Sequence, residues 1–280
     1  MNLNFTWIEL VRKGVFLVKT VGLVIAMFHS AFGQSKGPET LKVMSYNIRI
    51  ASPPSKGWGY TDLPATAEVI NRVKPDLVAL QEVDAFTDRS GKGVDQAREL
   101  GTRTGLYYHF AKAIDRSNGD YGVAILSRFP IIKAESYRLS VVSGHPEAEV
   151  RAVAAVTVKT PLGKLVFLSA HLDHLSDQDR AHQIGQLNEI LRKYRTLPVI
   201  LGADLNTTPS NPVINGLIRY LEKPCTDCEW TFPADRPNRT LDYLMLSKKA
   251  SRQFKRLTYA TVNETYASDH LPLMMELSLN

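Results

Sequence analysis

The sequence predicts a single large α/β domain built on two packed β-sheets. Three observations point there. Short apolar segments of strand length fall in two broad runs with helical patterns between them, which suits packed sheets better than a helical bundle or an all-β sandwich. The composition, 44% apolar and 22% charged over 280 residues, is that of an ordinary globular chain. No solenoid repeat and no low-complexity tract interrupts the pattern.

The first segment stands outside the fold. Arg12, Lys13 and Lys19 precede the apolar run Val21 to Phe28, and Ala31 and Gly33 put small residues where a signal peptidase reads. Residues 1–33 therefore read as a signal peptide. A membrane anchor is the alternative, but the uncharged run is short for a hydrocarbon layer of ~30 Å. Nothing later resembles a membrane span. Residues 34–40 read as a linker and residues 41–280 as the domain. A periplasmic or secreted location is the expectation that follows.

Leu41 to Ile50 alternates as a strand does, with Val43, Ser45 and Asn47 on one face and Met44, Tyr46 and Ile48 on the other. Thr61 to Val73 reads as a helix stopped by Pro75. Asp76 to Val83 is a short apolar strand, and Val94 to Thr104 a second helix. Leu106 to Lys112 and Tyr121 to Ser127 are strands around the polar stretch Asp115 to Asp120. Val150 to Lys159 and Lys164 to His171 form a hairpin across Thr160-Pro161-Leu162-Gly163. Asp177 to Tyr194 is a long amphipathic helix. Val199 to Leu201, Leu241 to Leu246 and Leu271 to Leu279 are further strands.

The formal charge of +6 suits an anionic partner, such as a phosphoester, a nucleic acid or a membrane surface, or serves solubility alone. Loss of residues 1–33 would remove three basic residues and one acid, leaving +4. Lys248, Lys249, Arg252, Lys255 and Arg256 form the one dense basic cluster, which reads as a solvated face. Cys225 and Cys228 read as a staple of a surface loop or as two idle thiols. A zinc finger would need two further ligands at a spacing the chain lacks.

The polar residues within the apolar runs carry the chemistry. Asn47 ends Met-Ser-Tyr-Asn, and Glu82 lies in Leu-Gln-Glu-Val. His171 ends Leu-Ser-Ala-His. Asp204 and Asn206 follow Val-Ile-Leu-Gly-Ala, and Asp269-His270 follows Ser268. A carboxylate or imidazole in such a run is costly to bury unless it is paired or bound to a metal. Several together imply one shared polar cavity at the ends of the strands.

The ordered set Asn47, Glu82, His171, Asp204/Asn206, Asp242 and Asp269/His270 resembles the endonuclease/exonuclease/phosphatase superfamily over nearly all of residues 41–280. That resemblance implies a four-layer sandwich, with two packed mixed β-sheets flanked by helices. It also implies a metal-dependent phosphoric ester hydrolase using Mg²⁺, with Mn²⁺ or another divalent cation as the alternative. Glu82 matches the principal metal carboxylate, Asn47 the amide beside it, and Asp269 a carboxylate near the metal and its water. His270 matches the histidine facing the scissile phosphate and Asp242 its orienting partner. Asp204 and Asn206 match the pair that positions the nucleophile and binds a phosphoryl oxygen. His171 matches a second phosphate-facing histidine. Arg151 and Tyr121 match phosphate-facing positions, although Tyr121 reads equally as a core aromatic.

The chain departs from the family in two places. The Glu that pairs with the second histidine in the DNase branch is missing, since the comparable stretch is Asp120-Tyr121-Gly122, so His171 needs another partner. The usual Gly-Asp order is altered to Gly202-Ala203-Asp204. Asp173 and His174 read as loop residues near the cleft. An alternative zinc site on His171, Asp173, His174 and His182 lacks a chelating spacing. The expected substrate is a small or lipid-borne phosphoester handled by a monomer. A secreted non-specific nuclease is the second reading, and a non-catalytic binding protein on the same fold the third.

Overall fold

The structure, a computed structural model, describes residues 39–57, 59–222, 225 and 228–280. The expected signal peptide and Trp58 lie outside them. Among the described residues the strands are β1 (Thr40–Asn47), β2 (Leu77–Ala85), β3 (Tyr107–Arg116), β4 (Gly119–Ser127), β5 (Ile131–Leu139), β6 (Arg151–Thr160), β7 (Gly163–His171), β8 (Val199–Asp204), β9 (Asp242–Leu246), β10 (Phe254–Thr261) and β11 (Leu273–Leu279). The α-helices are α1 (Leu63–Val73), α2 (Gln96–Thr104), α3 (Asp177–Lys193) and α4 (Lys248–Gln253). Two mixed sheets result, ordered β10-β11-β1-β2-β4-β3 and β5-β6-β7-β8-β9.

Strand alternation builds the layers. Val43, Leu77, Ala79, Val123 and Ile125 of the first sheet meet Ala154, Val156, Phe167, Ile200 and Leu244 of the second in a central core. The opposite faces of the first sheet, through Met44, Tyr46, Val78 and Leu80, pack on Leu63, Ala67, Ile70, Ala97 and Leu100 of α1 and α2. Val166, Leu168 and Leu201 of the second sheet pack on Ile184, Leu187 and Leu191 of α3. Helix, sheet, sheet, helix is thus the order of layers, as the family resemblance implies. Asp62, Asp95 and Ser176 cap the three longer helices by accepting backbone N–H bonds.

Register sets where the chemistry falls. β1 and β2 run parallel with Asn47 beside Gln81. β7 and β8 run parallel with His171 beside Asp204, and antiparallel β9 places Asp242 on the other side of Asp204. The polar strand ends therefore gather at one edge of both sheets. Gly202 lets the sheets approach just behind them. A Cβ there would lie 2.6 Å from the Ala79 Cβ, so the glycine of the altered Gly-Ala-Asp run is required by packing.

Some boundaries differ from expectation. β1 stops at Asn47 because Arg49, Ile50 and Ala51 take left-handed φ of 49°, 52° and 54°. β5, β10 and α4 carry no pattern from which the sequence predicts them. β5 and β10 are largely exposed outer strands of their sheets, so polar residues interrupt the apolar pattern that betrays an inner strand. The basic cluster is split between α4 and β10, outside the gathered strand ends. Cys225 and Cys228 are joined by a disulfide. Among the described residues no helix is long and apolar enough to cross a membrane.

Candidate active site

Each site residue stands where a strand ends or breaks. Glu82 lies at a register shift in the β2–β4 pairing, with a φ of 54°. Such a bulge re-aims one side chain of a strand that is otherwise buried on both faces. The Ser268–His270 segment precedes β11 and is tied to β1 through Ser268, whose hydroxyl donates to the Asn47 carbonyl at 2.7 Å. The His270 N–H donates in turn to that hydroxyl at 3.2 Å.

Asn47 is the junction. Its amide nitrogen donates to Glu82 Oε1 at 3.0 Å and to Asp204 Oδ2 at 2.9 Å, while its oxygen accepts the Arg49 N–H at 3.0 Å. One amide therefore joins the Glu82 side to the Asp204 side. His270 Nδ1 meets Asp242 Oδ2 at 2.8 Å, its Nε2 lies 3.8 Å from Asp204 Oδ2, and its ring packs on Phe232 at 4.7 Å between centroids. Asp204 Oδ1 accepts the Asn206 N–H at 2.9 Å.

The electrostatics separate the two histidines. Burial alone would lower the His270 pKa, but the charge and hydrogen bond of Asp242, helped by Asp204 and Asp269, outweigh it and raise the pKa to about 10. His171 is held well below its ordinary value, first by burial and then by the Arg151, His270 and His174 charges. Asp204 is pushed up to about 7 by burial and by Asp242, against the attraction of His270 and the bonds from Asn47 and Asn206. His171 also lies between two donors: Arg151 Nη1 stands 3.4 Å from Nδ1, and Asn206 Nδ2 stands 2.9 Å from Nε2. The Asn206 amide is oriented by its bond to the Leu172 carbonyl at 3.0 Å. A neutral imidazole has one lone pair, so one donor is left over. A phosphoryl oxygen entering beside His171 and Asn206 would accept it.

Two groups flank His171 where the missing Glu left its partner open: Arg151 on the Nδ1 side and Asp204, whose Oδ2 lies 3.6 Å from Nε2. Arg151 is 3% exposed and reaches His171 and, through Nη2, His174 Nδ1 at 3.1 Å, with Glu149 3.4 Å away. Tyr121 is buried, with Arg89 over its ring at 5.3 Å, and its hydroxyl pKa is raised by burial and by Glu82. The alternative zinc set is not brought together. Asp173 caps its own loop by accepting from Leu175 and Ser176, His174 turns to Arg151, and His182 meets Ser140.

The donor set fits a hard divalent cation. Glu82 and Asp204 are joined through Asn47, Asp204 adjoins the His270–Asp242 pair, and Asp269 follows on the same segment as His270. The buried Asp242 Oδ1 has no hydrogen-bond partner. So many carboxylates close together call for a cation, and oxygen ligands suit Mg²⁺. Asp204, Asp242 and His270 offer atoms within 4.8 Å of one another, with His270 Nδ1 already bonded to Asp242 and Nε2 turned to Asp204. Two residues without a role in the sequence reading also take part: Arg49 holds Asp269 at 3.2 Å, and Phe232 walls His270. The one available signal for Arg49 was a charge set between Ile48 and Ile50 directly after the strand.

The raised pKa values have a consequence for stability. Between pH 6.5 and about 10 the folded chain keeps a proton on His270 that the unfolded chain releases. That contribution is full at acid pH and fades as pH rises through the folded pKa. The melting temperature of EDTA-treated protein should therefore fall across this window, and His270→Gln should flatten the fall. Equal slopes in thermal melts of the two proteins would count against the raised pKa.

Comparisons with known proteins agree with this architecture. The sequence profile of the "Endonuclease/Exonuclease/phosphatase family" matches residues 44–270. The Carbon catabolite repressor protein 4 homolog 3 of Arabidopsis thaliana is 23% identical over 209 residues, 65% of this chain, and the match spans 43% of that protein's length. Among solved structures, an endonuclease/exonuclease/phosphatase family protein from Bacteroides thetaiotaomicron superposes with a TM-score of 0.68 at 19% identity, covering 87% of this chain and 99% of the other. A mannosyl-6-phosphatase from Bacteroides thetaiotaomicron VPI-5482 gives 0.68 at 20% identity over 85% of this chain and 100% of its own. The human Nocturnin catalytic domain gives 0.63 at 20% identity, over 87% and 94%.

Proposed function

This chain belongs to the endonuclease/exonuclease/phosphatase family, and from that premise we propose that it is an exported, Mg²⁺-dependent hydrolase of a small phosphoester, acting by in-line attack of water. The observation that carries the reading is the chain of contacts in which the Asn47 amide bonds both Glu82 and Asp204, and Asp204 in turn adjoins His270, which is held by Asp242. A compact substrate is supported by the shared fold with a mannosyl-6-phosphatase and by the position of the basic cluster on α4 and β10 rather than at the gathered strand ends.

Glu82, Asp269 and Asn47 would hold the cation, whose chemistry when bound is to neutralise charge on phosphoryl and leaving oxygens. The attacking water would sit against Asp204 Oδ2 and His270 Nε2, which are 3.8 Å apart. Asp204, with a pKa near neutrality, is the group that accepts the water's proton, while His270, kept protonated by Asp242, is a donor beside it. His171 and Asn206 donate to a non-bridging oxygen as charge grows there. Arg151 orients His171 from behind and adds positive charge.

Turnover of p-nitrophenyl phosphate and bis-p-nitrophenyl phosphate with Mg²⁺ or Mn²⁺ tests the reading. Hydrolysis that EDTA abolishes and added metal restores is the expected result, with plasmid DNA cut slowly or not at all. Efficient cutting of DNA would favour a nuclease. No hydrolysis of any of the three under any divalent metal would favour a binding protein.

A further inference from the structure

We infer that Gln96 is a positioning residue that fixes the distance between the two sides of the cation site. The inference rests on the reading of Glu82, Asn47 and Asp269 as the ligand group. Gln96 opens α2, is fully buried, and touches neither a carboxylate nor an imidazole of the site. Its side chain instead holds two pieces of backbone. Oε1 accepts the Asp84 N–H at 2.9 Å, and Nε2 donates to the Ile50 carbonyl at 2.6 Å.

Both attachment points are the segments that aim the ligands. Asp84 lies two residues beyond Glu82, just past the register shift in β2. Its own carboxylate is anchored by Arg89, Thr87 and Ser90 at 2.6–2.8 Å, so its N–H keeps a fixed direction. Ile50 is the centre of the left-handed run at residues 49–51. The Arg49 of that run orients the Asn47 amide through its N–H and holds Asp269 through its guanidinium. Glu82 at φ 54° and the run at 49–51 are both conformations that L-residues adopt only when their surroundings impose them. Beside the Asn47 side chain and the Ile48 N–H bond to the Gln81 carbonyl, Gln96 is a further tie between these two segments, made at Asp84 and at Ile50. A buried amide of this kind gives its hydrogen bonds a single arrangement, because leaving either end unmade is costly.

The test separates positioning from mere packing. Gln96→Met keeps the length and burial of the side chain and removes both bonds. Gln183→Met is the control. Gln183 is equally buried, on α3, and its Oε1 accepts the Asp173 N–H at 2.8 Å on the His171 side of the site. Mn²⁺ binding is read by electron paramagnetic resonance on the full folded chain, without substrate, beside melting temperature. Gln96→Met should weaken Mn²⁺ binding by about tenfold or more, the usual effect of losing a partner behind a metal ligand, whereas Gln183→Met should leave it within about twofold. In assays, the metal concentration for half-maximal rate should rise with the KM for substrate unchanged at saturating metal. Unchanged Mn²⁺ affinity in Gln96→Met, or an equal loss in both variants, overturns the inference.

Should Gln96→Met fail to fold, hydrogen exchange of the wild-type protein with and without saturating Mg²⁺ decides. The backbone at 83–85 and at 49–51 should gain protection together, as linkage between coupled sites requires. Protection of one segment without the other overturns the inference. A wild-type chain that binds Mn²⁺ but hydrolyses no phosphoester would sink the proposed function and leave the role of Gln96 standing. A wild-type chain that binds none would overturn both.

Discussion

Replacing His270 by alanine should lower kcat by about 10²–10⁴, the weight of a positioned general acid–base group, with a much smaller change in KM. The imidazole is not a mobile surface group that water can replace. It is fixed by Asp242 at 2.8 Å on one nitrogen, by Phe232 against its face, and by the Ser268 hydroxyl on its backbone. Its other nitrogen, Nε2, faces Asp204. The alanine variant will also lose stability, because the fully buried Asp242 carboxylate is left without its imidazole partner. Asp242→Asn is therefore the cleaner companion. The amide removes the charge that keeps His270 protonated, so the ring facing Asp204 loses its positive charge and one of its two N–H donors. The loss should again be in kcat. Steady-state kinetics at saturating Mg²⁺ measure both, and near-normal turnover in His270→Ala would reject the scheme.

Replacing Glu82 by alanine should abolish the Mg²⁺-dependent rate and weaken divalent-cation binding by more than about 100-fold, since losing even an outer partner of a metal ligand costs 10–100-fold. Glu82 is the half-buried carboxylate that the β2 bulge turns out of the strand, and its Oε1 faces the Asn47 amide. The fold should tolerate the change. Glu82 holds no element together, and removing a partly buried carboxylate relieves a desolvation cost in the metal-free protein. Calorimetric titration with Mn²⁺ and a thermal melt in EDTA test the two halves separately. Full Mg²⁺ activity in Glu82→Ala would move the cation to the Asp204–Asp242 side.

Much of the site could be read in the chain because burial leaves a written trace. Asn47, Glu82, His171, Asp204 and His270 interrupt apolar runs, and a charge in such a run needs a reason. The inner strands were legible for the same cause. Their residues are buried on one face or both, so hydrophobic pattern and position in the sheet coincide. β5 and β10 lack that coincidence, since outer strands tolerate Lys133, Glu135, Lys255 and Arg256 on their exposed sides.

What the sequence determined by itself was the family, the layered α/β class and the identity of the polar residues at the strand ends. These depend on residue type and local order, which the chain states directly. Only the tertiary structure decided how those residues divide their work. That Arg151 and Asp204 flank His171, that one Asn47 amide joins Glu82 to Asp204, and that Gln96 bonds the backbone at both Asp84 and Ile50 are all contacts between residues separated in the chain. Hydrogen-bond partnership depends on distance and direction in space, to within a fraction of an ångström, and sheet register, the packing of one sheet on the other and the docking of the helices together bring those residues to that range.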